Sequence, residues 1–244
     1  MDPVILAIET STERGSVALG RASGTIAERA LAADRRHTTA LLPAVHEMLQ
    51  GQGLKPADVE AVGFSQGPGS FTGLRIAATI ARMWTSVTGC RVVAVPTLEV
   101  IARNAIASAR PPAWHTGHIA VVVDARRGQV FGGLFRSEAG ELRTMEAAAL
   151  REVPAWFGSL PRPCLLIGPG PGRWREHAAG AGLEVAAEDQ SWPRAAEVLA
   201  IAAAKAGRGE FCPPAEILPL YIRRPECEEV YEQRRAAARQ RREG

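Results

Sequence analysis

The sequence has no long hydrophobic run and no closely spaced cysteines. The early apolar stretch, Val4 to Ile8, is much shorter than a signal-peptide core or the roughly 20 residues of a membrane-spanning helix. The cysteines lie far apart without C-x-x-C spacing, which argues against a disulfide framework and against a zinc site. They are Cys90, Cys164, Cys212 and Cys227. We therefore expect free thiols, a cytoplasmic location and no membrane contact.

A strong excess of charge is also missing. The formal net charge is +3 over 244 residues, and it comes from the end of the chain. Residues 234–244 hold five arginines and one glutamate, whereas the rest of the chain holds 24 basic and 25 acidic side chains. The basic end has two interpretations, a solvated terminus or a weak contact with nucleic acid.

Length and hydrophobic pattern predict two similar parts. A chain of this length forms one large domain or two of roughly 100 to 150 residues, and Pro111-Pro112 marks a division. Before it, the pattern predicts strands at 3–9, 15–20, 24–31, 59–65 and 91–95 and helices at 39–50, 71–88 and 97–109. After it, the pattern predicts strands at 118–124, 129–135, 141–147, 164–168 and 183–187 and helices at 151–158, 173–180 and 194–206.

The order of elements is the same in both parts. Two copies of βββαβαβα form the α/β architecture shared by actin, Hsp70 chaperones and sugar kinases. We therefore expect this fold, with a first half at residues 1–110, a second half at 111–222 and a charged, flexible tail at 223–244.

Both turns that would hold nucleotide phosphates lack the required glycine. In the actin-like fold these turns begin Asp-x-Gly after the first strand of each half, because glycine lets backbone N–H groups close on phosphate. Here the first turn reads ETSTERG from Glu9, and the second reads DARRG from Asp124. A stand-alone ATP-dependent kinase is therefore a poor interpretation. The weak candidates for nucleotide binding are Glu9, Thr10, Ser11, Thr12 and Asp124.

Metal and hydrolase sites have little support. His37 and His46 are nine residues apart, and His115 with His118 has no acidic partner nearby, whereas zinc or iron needs three or four converging donors. The segment GFSQG at 63–67 matches G-x-S-x-G, but a second turn separates it from the following helix. We expect no metal, no cofactor and no nucleophile turn.

The glycine-rich segment GPGSFTG, residues 67–73, opens a helix that is apolar around much of its circumference. Ser70 or Thr72 is expected to cap this helix, and the helix at 39–50 tolerates Pro43 only if it begins close to Thr39. A helix this apolar needs cover on two sides. Its own sheet covers one side; the other requires a second molecule or burial inside the chain. The apolar positions are Leu74, Ile76, Ala77, Ile80, Ala81, Trp84 and Val87, and on the 39–50 helix Leu41, Leu42, Val45, Met48 and Leu49.

Six segments together resemble one family along nearly the whole chain. They are LAIETSTERGSVAL (6–19), HTTALLPAVHEML (37–49), GPGSFTGLRI (67–76), VPTLEVIA (95–102), VDARRGQVF (123–131) and LPLYIRRPE (218–226). In this order they are similar to the TsaB family, also called YeaZ. Glu9 departs from the aspartate of many members, and the arginine-rich tail extends past the usual core.

The resemblance implies a non-catalytic subunit of the bacterial tRNA threonylcarbamoyladenosine (t6A) machinery. Its partners would be a TsaD-like catalytic subunit, which modifies N6 of adenosine 37 in tRNAs that read codons beginning with A, and a TsaE-like ATPase. Alone it would form a homodimer, and it would meet tRNA through the complex. TsaD binds metal through H-x-x-x-H, where this chain has Thr97 and Ile101, so the resemblance implies no metal and no peptidase activity.

In the family, the two apolar helices form the partner surface. The positions implied here are Leu41, Leu42, Val45, Phe71, Thr72, Leu74, Arg75, Ile76, Ile80 and Trp84. The alternatives are a stand-alone actin-fold kinase or carbamoyltransferase, or a degenerate carbamoyltransferase or peptidase-like paralogue.

Overall fold

The structure is a computed structural model that describes residues 2–31, 37–107 and 117–223. The predicted boundary at residues 110 and 111, His115, Cys227 and the tail from residue 224 onward lie outside the described residues. None of the described helices combines the length and the apolar character needed to cross a bilayer.

The first half contains a five-stranded sheet and three helices. Its strand order is β3-β2-β1-β4-β5, with β1 antiparallel to β2 and parallel to β4. The strands are β1 (Ile5–Glu9), β2 (Ser16–Arg21), β3 (Gly24–Ala30), β4 (Ala61–Gly67) and β5 (Arg91–Pro96), and the helices are α1 (His37–Gly51), α2 (Phe71–Thr88) and α3 (Thr97–Ala107).

The second half repeats this plan. Its sheet order is β10-β9-β6-β7-β8, in which the first strand of the half again lies between a parallel neighbour and an antiparallel one. The repeated topology confirms the predicted α/β fold of the actin, Hsp70 and sugar-kinase type. The strands are β6 (Gly117–Asp124), β7 (Gln129–Glu138), β8 (Glu141–Glu152), β9 (Cys164–Ile167) and β10 (Glu184–Val185), and the helices are α4 (Val153–Ser159), α5 (Arg175–Gly180) and α6 (Ala195–Gly207).

Each sheet is covered on one face by a helix from the other half. Along β1, Leu6 and Ile8 face the core beneath α1 and α2, whereas Ile5 and Ala7 face α6, as the two-residue period of a strand requires. Helix α3, which follows the first sheet in sequence, packs mainly on β6, β9 and their neighbours in the second sheet, while its Val100 also contacts the first sheet. The two halves therefore exchange their last helices.

The exchanged helices also contact one another. Arg103 on α3 donates from Nε to a carboxylate oxygen of Glu197 on α6 at 3.0 Å. The Asn104 side-chain amide donates to the backbone carbonyls of Gln190 and Trp192 just before α6. These bonds connect the two halves through the pair α3 and α6.

Three local predictions differ from the structure. Strand β8 continues to Glu152 rather than ending near residue 147, because it pairs with β7 along its full length. The helix predicted at 173–180 divides into a 3-10 turn, Pro171–Trp174, and α5. Helix α1 begins at His37, so Pro43 lies inside it. The expectation for Pro43 was wrong: the residue lies on the exposed face, where solvent can replace the missing backbone hydrogen bond.

Contact between α6 and β4 depends on a small residue in each element. A Cβ placed on Gly63 would lie 2.7 Å from Cβ of Ala202, closer than such atoms approach in proteins. Both Cβ atoms are attached directly to the backbone of a regular element, so neither can move aside as the end of a flexible side chain does.

We expect Gly63→Ala to lower the free energy of unfolding by about 1–3 kcal/mol through overpacking. Ala202→Gly alone costs about 1 kcal/mol in helix propensity. The double variant, which restores the space, is expected to be more stable than Gly63→Ala alone. Urea denaturation of the four proteins measures this coupling.

Gly158→Ala provides the matched control, because a Cβ there meets nothing within 4 Å. In α4 it should raise stability by roughly 0.5–1 kcal/mol. Additive effects of the changes at 63 and 202 would contradict the proposed steric contact.

Candidate functional site

The glycine-rich segment between β4 and α2 ends in a capped helix start. Ser70 is the N-cap, and its Oγ accepts a hydrogen bond from the Gly73 N–H at 3.4 Å. The helix ends at Gly89, whose φ of 74° is left-handed and suits a glycine C-cap. Of the two predicted caps, the structure selects Ser70.

The glycines of this segment allow backbone to touch backbone. A Cβ on Gly73 would overlap the carbonyl oxygen of Thr10, and a Cβ on Gly69 would overlap that of Ser11. Two hydrogen bonds hold the approach: Ser70 N–H donates to the Ser11 carbonyl at 2.6 Å, and Thr10 Oγ1 donates to the Gly73 carbonyl at 2.8 Å. The first turn of the chain is therefore packed directly against the start of α2.

Glu9 directs its carboxylate into this packed turn rather than outward. The carboxylate is fully buried and accepts hydrogen bonds from the Ser11 N–H at 2.6 Å, from Ser11 Oγ at 2.5 Å and from Ser65 Oγ. The Ser11 N–H, a donor of the kind that a phosphate turn aims at its ligand, is thus used within the chain. Ser65, the serine of GFSQG, lies inside β4 and is buried, so it does not occupy a nucleophile turn. Thr10, Ser11 and Thr12 are buried as well.

Asp124 is half-buried and lines, together with Glu13 of the first turn, a cleft of about 400 Å³ between the halves. Its Oδ1 accepts from the Arg126 N–H at 2.8 Å, and its Oδ2 accepts from Arg173 Nη1 at 2.7 Å. The structure therefore places the five nucleotide candidates in two environments, one closed and one open. The residues that line the cleft are Glu13, Asp124, Gly170, Arg173, Trp174, Arg175, Glu188 and Trp192.

Thr97 and Ile101, which the family resemblance aligns with the TsaD histidines, are internal. Thr97 and Ile101 are fully buried on α3, and Ile101 packs against the second sheet. Thr97 Oγ1 has no hydrogen-bond partner among the described residues. Those residues also contain no group of three or more His, Cys, Asp or Glu placed to hold a metal.

Burial raises the pKa of Cys164 to about 11, so this thiol stays protonated at neutral pH.

The α1 and α2 surface contains only some of the predicted partner residues. Thr72, Arg75 and Leu42 are exposed, and Phe71, Ile76 and Ile80 are half-buried. The remaining four pack inside the chain, where their side chains leave no surface for a partner. They are Leu41, Val45, Leu74 and Trp84.

Two exposed residues of α2 complete the outer stripe. Met83 is 43% exposed and Val87 is 79% exposed, and both lie on the helical face that also carries Ile76 and Ile80. The periodicity of α2 contains this face, but apolar residues also occur on the opposite face. The alanines Ala77, Ala78 and Ala81 pack toward the first sheet, but the large residues Leu74 and Trp84 are buried as well, so residue size alone does not separate the two faces.

A C-terminal segment borders this surface. The Arg75 guanidinium lies 3.8 Å from the centre of the Phe71 ring, and its Nε donates to the Tyr221 hydroxyl at 2.9 Å. Leu220 N–H donates to the carbonyl of Gln66 at the end of β4 at 2.8 Å. Tyr221 was not among the predicted site residues, because its contact with Arg75 joins positions 146 residues apart.

Comparisons with known proteins identify relatives of this chain. Residues 28–167 match the family model described as TsaD, tRNA N6-adenosine threonylcarbamoyltransferase. The tRNA threonylcarbamoyladenosine biosynthesis protein TsaB of Bacillus subtilis (strain 168) is 33% identical over 167 residues, which cover 67% of this chain and 70% of that protein. TsaB of Escherichia coli (strain K12) is 29% identical over 226 residues, which cover 90% of this chain and 94% of that protein.

A solved structure supports the same relationship. YeaZ from Pseudomonas aeruginosa superposes with a TM-score of 0.75 and 27% sequence identity, and the match covers 90% of this chain and 99% of that one. Likeness in sequence and in fold thus extends over most of the chain, and the protein belongs to the TsaB (YeaZ) family.

Proposed function

We propose that this protein is a non-catalytic subunit that supports a TsaD-like transferase in t6A biosynthesis. A role in t6A biosynthesis follows from its family. The single observation that carries the finer proposal is the apolar outer face of α2, formed by Met83 and Val87. On the neighbouring helix α1, Leu42 is also exposed, at 41%.

The inner face of α2 is already filled by residues that pack in the core, whereas Met83 and Val87 lie on the outer face. The alanines at 77, 78 and 81 are buried to within a few per cent, and the larger residues Leu74 and Trp84 are buried with them. Further large apolar groups occupy the opposite face. Each Val, Leu or Met that becomes fully buried contributes roughly 1.5–3 kcal/mol. An exposed apolar stripe of this kind favours association with another protein.

The occupant that we propose is a TsaD-like subunit of the same fold. In its absence, a second copy of this chain would use the same face, because a twofold axis pairs one patch with itself. The homodimer and the heterodimer would therefore compete for α1 and α2. A TsaE-like ATPase would join the assembled pair, and tRNA would be bound by the complex in the cytoplasm.

The interior of the first turn supports a role without catalysis. Glu9 accepts hydrogen bonds from the chain's own serines, and Thr97 with Ile101 stands where TsaD has metal-binding histidines. Isoleucine offers no metal ligand. The first turn is also packed against the start of α2 at Gly73. These features favour a supporting subunit over a stand-alone kinase or carbamoyltransferase.

The first test changes the centre of the outer stripe. Met83→Glu places a charge where we expect desolvation by the partner, at a cost of about 2 kcal/mol or more. The dissociation constant should therefore rise at least about 30-fold, both for the homodimer and for the complex with a TsaD-like subunit. Sedimentation velocity and pull-down experiments measure the two constants.

Met145→Glu is the matched control, because Met145 on β8 is similarly exposed, at 48%, but lies in the other half. It should leave both assemblies intact.

Ile80→Glu is a less specific change, since Ile80 also packs against the core of its own chain. A monodisperse monomer at tens of micromolar for the unmodified protein would exclude the homodimer. Equal losses from Met83→Glu and Met145→Glu would exclude the α2 surface.

The second test separates support from catalysis. Glu9→Ala removes the acceptor for three hydrogen bonds at the turn, so it should lower the melting temperature and weaken complex formation. With the TsaD-like subunit in excess, t6A formation should return to the unmodified rate. Removal of a general acid or base would instead lower the rate by roughly 100- to 10,000-fold at any concentration.

Ser65→Ala is the companion variant, because it removes one of these hydrogen bonds and leaves the carboxylate in place. It should give a smaller shift in stability and the same rescued rate. Loss of turnover by Glu9→Ala in a fully assembled complex would instead require an active site in this subunit.

A further inference from the structure

Residues 211–223, which follow α6, run from the first half of the molecule to the second as a strap. Within these described residues, the 3-10 turn Pro214–Glu216 is the only helix or strand. We propose that this strap couples the start of α2 to the turn between β6 and β7, so that a partner docked on α2 stabilises that turn in the second half. The inference rests on the proposed function only in that the partner occupies α2.

Backbone hydrogen bonds fix the strap to the first sheet at two places. The Cys212 N–H donates to the Val92 carbonyl of β5 at 2.7 Å. The Leu220 N–H donates to the Gln66 carbonyl at the end of β4 at 2.8 Å. Between these two points, the side chain of Ile217 is buried in the core beneath α1 and α2. The strap therefore belongs to the first half as far as residue 220.

The end of β4 and the strap are in direct backbone contact. A Cβ placed on Gly67 would lie 2.6 Å from the carbonyl oxygen of Leu220. Gly67 also has a φ of 132°, which glycine adopts without strain. Beside it, Gln66 donates from Nε2 to the Leu218 carbonyl at 3.1 Å. Residues 218–220 are thus held by the backbone and by a side chain of β4.

Tyr221 connects the strap to the start of α2. Its hydroxyl accepts a hydrogen bond from Arg75 Nε at 2.9 Å, and its ring centre lies 5.0 Å from that of Phe71. Arg75 and the neighbouring Thr72 are exposed. A partner seated on α2 would therefore contact this cluster directly.

Arg223 connects the strap to the second half. Its Nη1 donates to the carbonyl of the buried Ala125 at 2.6 Å, and its Nη2 donates to Gln129 Oε1. Gln129 in turn donates from Nε2 to Glu152 at the end of β8 at 2.5 Å. Since the Ala125 N–H donates to the Gln129 carbonyl at 3.0 Å, these two residues are the two ends of the turn. One guanidinium group therefore holds both ends of the turn between β6 and β7.

The strap has little freedom to absorb a movement between its attachment points. Tyr221 and Arg223 are two residues apart, so at most about 7 Å of extended backbone joins the contact on α2 to the contact on the second half. Three prolines, each with a fixed φ, stiffen the part of the strap before them. They are Pro213, Pro214 and Pro219. A displacement of Tyr221 is therefore transmitted to Arg223.

The coupled element has two states, with Arg223 bonded to the turn or released from it. A partner that orders Arg75 and Tyr221 favours the bonded state, because Arg223 is then already held close to the turn. By linkage, the bonded state strengthens partner binding by the same factor. Affinity at α2 therefore depends on a contact in the other half.

A double-mutant cycle on the full chain tests this coupling. Arg75→Gln and Arg223→Gln each remove one attachment of the strap, and hydrogen exchange is measured at the amides of Ala125 and Gln129, which are bonded within the turn. Hydrogen bonds from a charged donor contribute more than neutral ones, so Arg223→Gln should speed this exchange by about tenfold or more. Arg75→Gln alone should speed it by at least about threefold. Once Arg223 is replaced, Arg75→Gln should have no further effect.

Tyr221→Phe is a milder second variant, because it removes only the hydroxyl and keeps the ring against Phe71. It should speed exchange at the turn in the same direction as Arg75→Gln. The melting temperature of every variant is recorded, so that global unfolding is separated from local opening of the turn.

Arg82→Gln and Arg208→Gln are the matched controls. Arg82 is exposed on α2, about two helical turns beyond Arg75. Arg208 forms an exposed ion pair with Glu210 just before the strap. Neither change should alter exchange at the turn.

The same exchange is then measured with the TsaD-like subunit bound. Protection of the turn should rise in the unmodified chain, and Arg223→Gln should raise the dissociation constant by the factor by which the partner slows exchange. The coupling is overturned by unchanged exchange in Arg223→Gln, by additive effects of the two changes, by an equal effect of either control, or by a bound partner that leaves the turn unprotected. A partner that does not bind at α2 rejects the proposed function instead, and the cycle on the free chain then decides whether the strap couples the halves.

Discussion

The approach of the Thr10 carbonyl to the start of α2 is the contact on which the functional geometry depends. Glycine at position 73 permits it, and hydrogen bonds from Thr10 Oγ1 and Ser70 N–H hold it. On one side, the contact packs the first turn against the start of α2. On the other side, it fixes the beginning of the helix whose alanines face the sheet and whose Met83 and Val87 face outward. A single contact thus joins the first turn to the helix that carries the exposed apolar face.

The two halves depart from a glycine-lined phosphate turn in different ways. In the first turn, the buried carboxylate of Glu9 accepts a hydrogen bond from the Ser11 N–H. In the second turn, the left-handed backbone is present, but Arg126 stands where Asp-x-Gly requires glycine, and its N–H is bound by Asp124. The first turn is part of the core, and the second is an exposed basic tip. Equivalent positions in a duplicated fold therefore have opposite surroundings.

The fold was largely predictable from the sequence, whereas the site was predictable only in part. Helix α2 was predicted at its observed bounds because Ser70 and Gly89 end an uninterrupted helical pattern. Periodicity could not show which apolar face of α2 meets the sheet, so Leu74 and Trp84 were assigned to the same surface as Ile80 although they are buried. The contact between Arg75 and Tyr221 has no local pattern. The left-handed backbone of Arg126 and Arg127 could not be predicted either, because arginine rarely adopts a positive φ.

The exchange of α3 and α6 between the halves also has a consequence for synthesis on the ribosome. Ile5 and Ala7 emerge long before Leu199 and Ala202 of α6, which are part of their cover. One face of the first sheet must therefore wait for the synthesis of α6 before it is shielded from water. Large proteins often complete an N-terminal domain while translation continues, but this chain cannot finish its first sheet in that way. A nascent chain that stalls before α6 has emerged would present an apolar sheet face, which chaperones and proteases recognise.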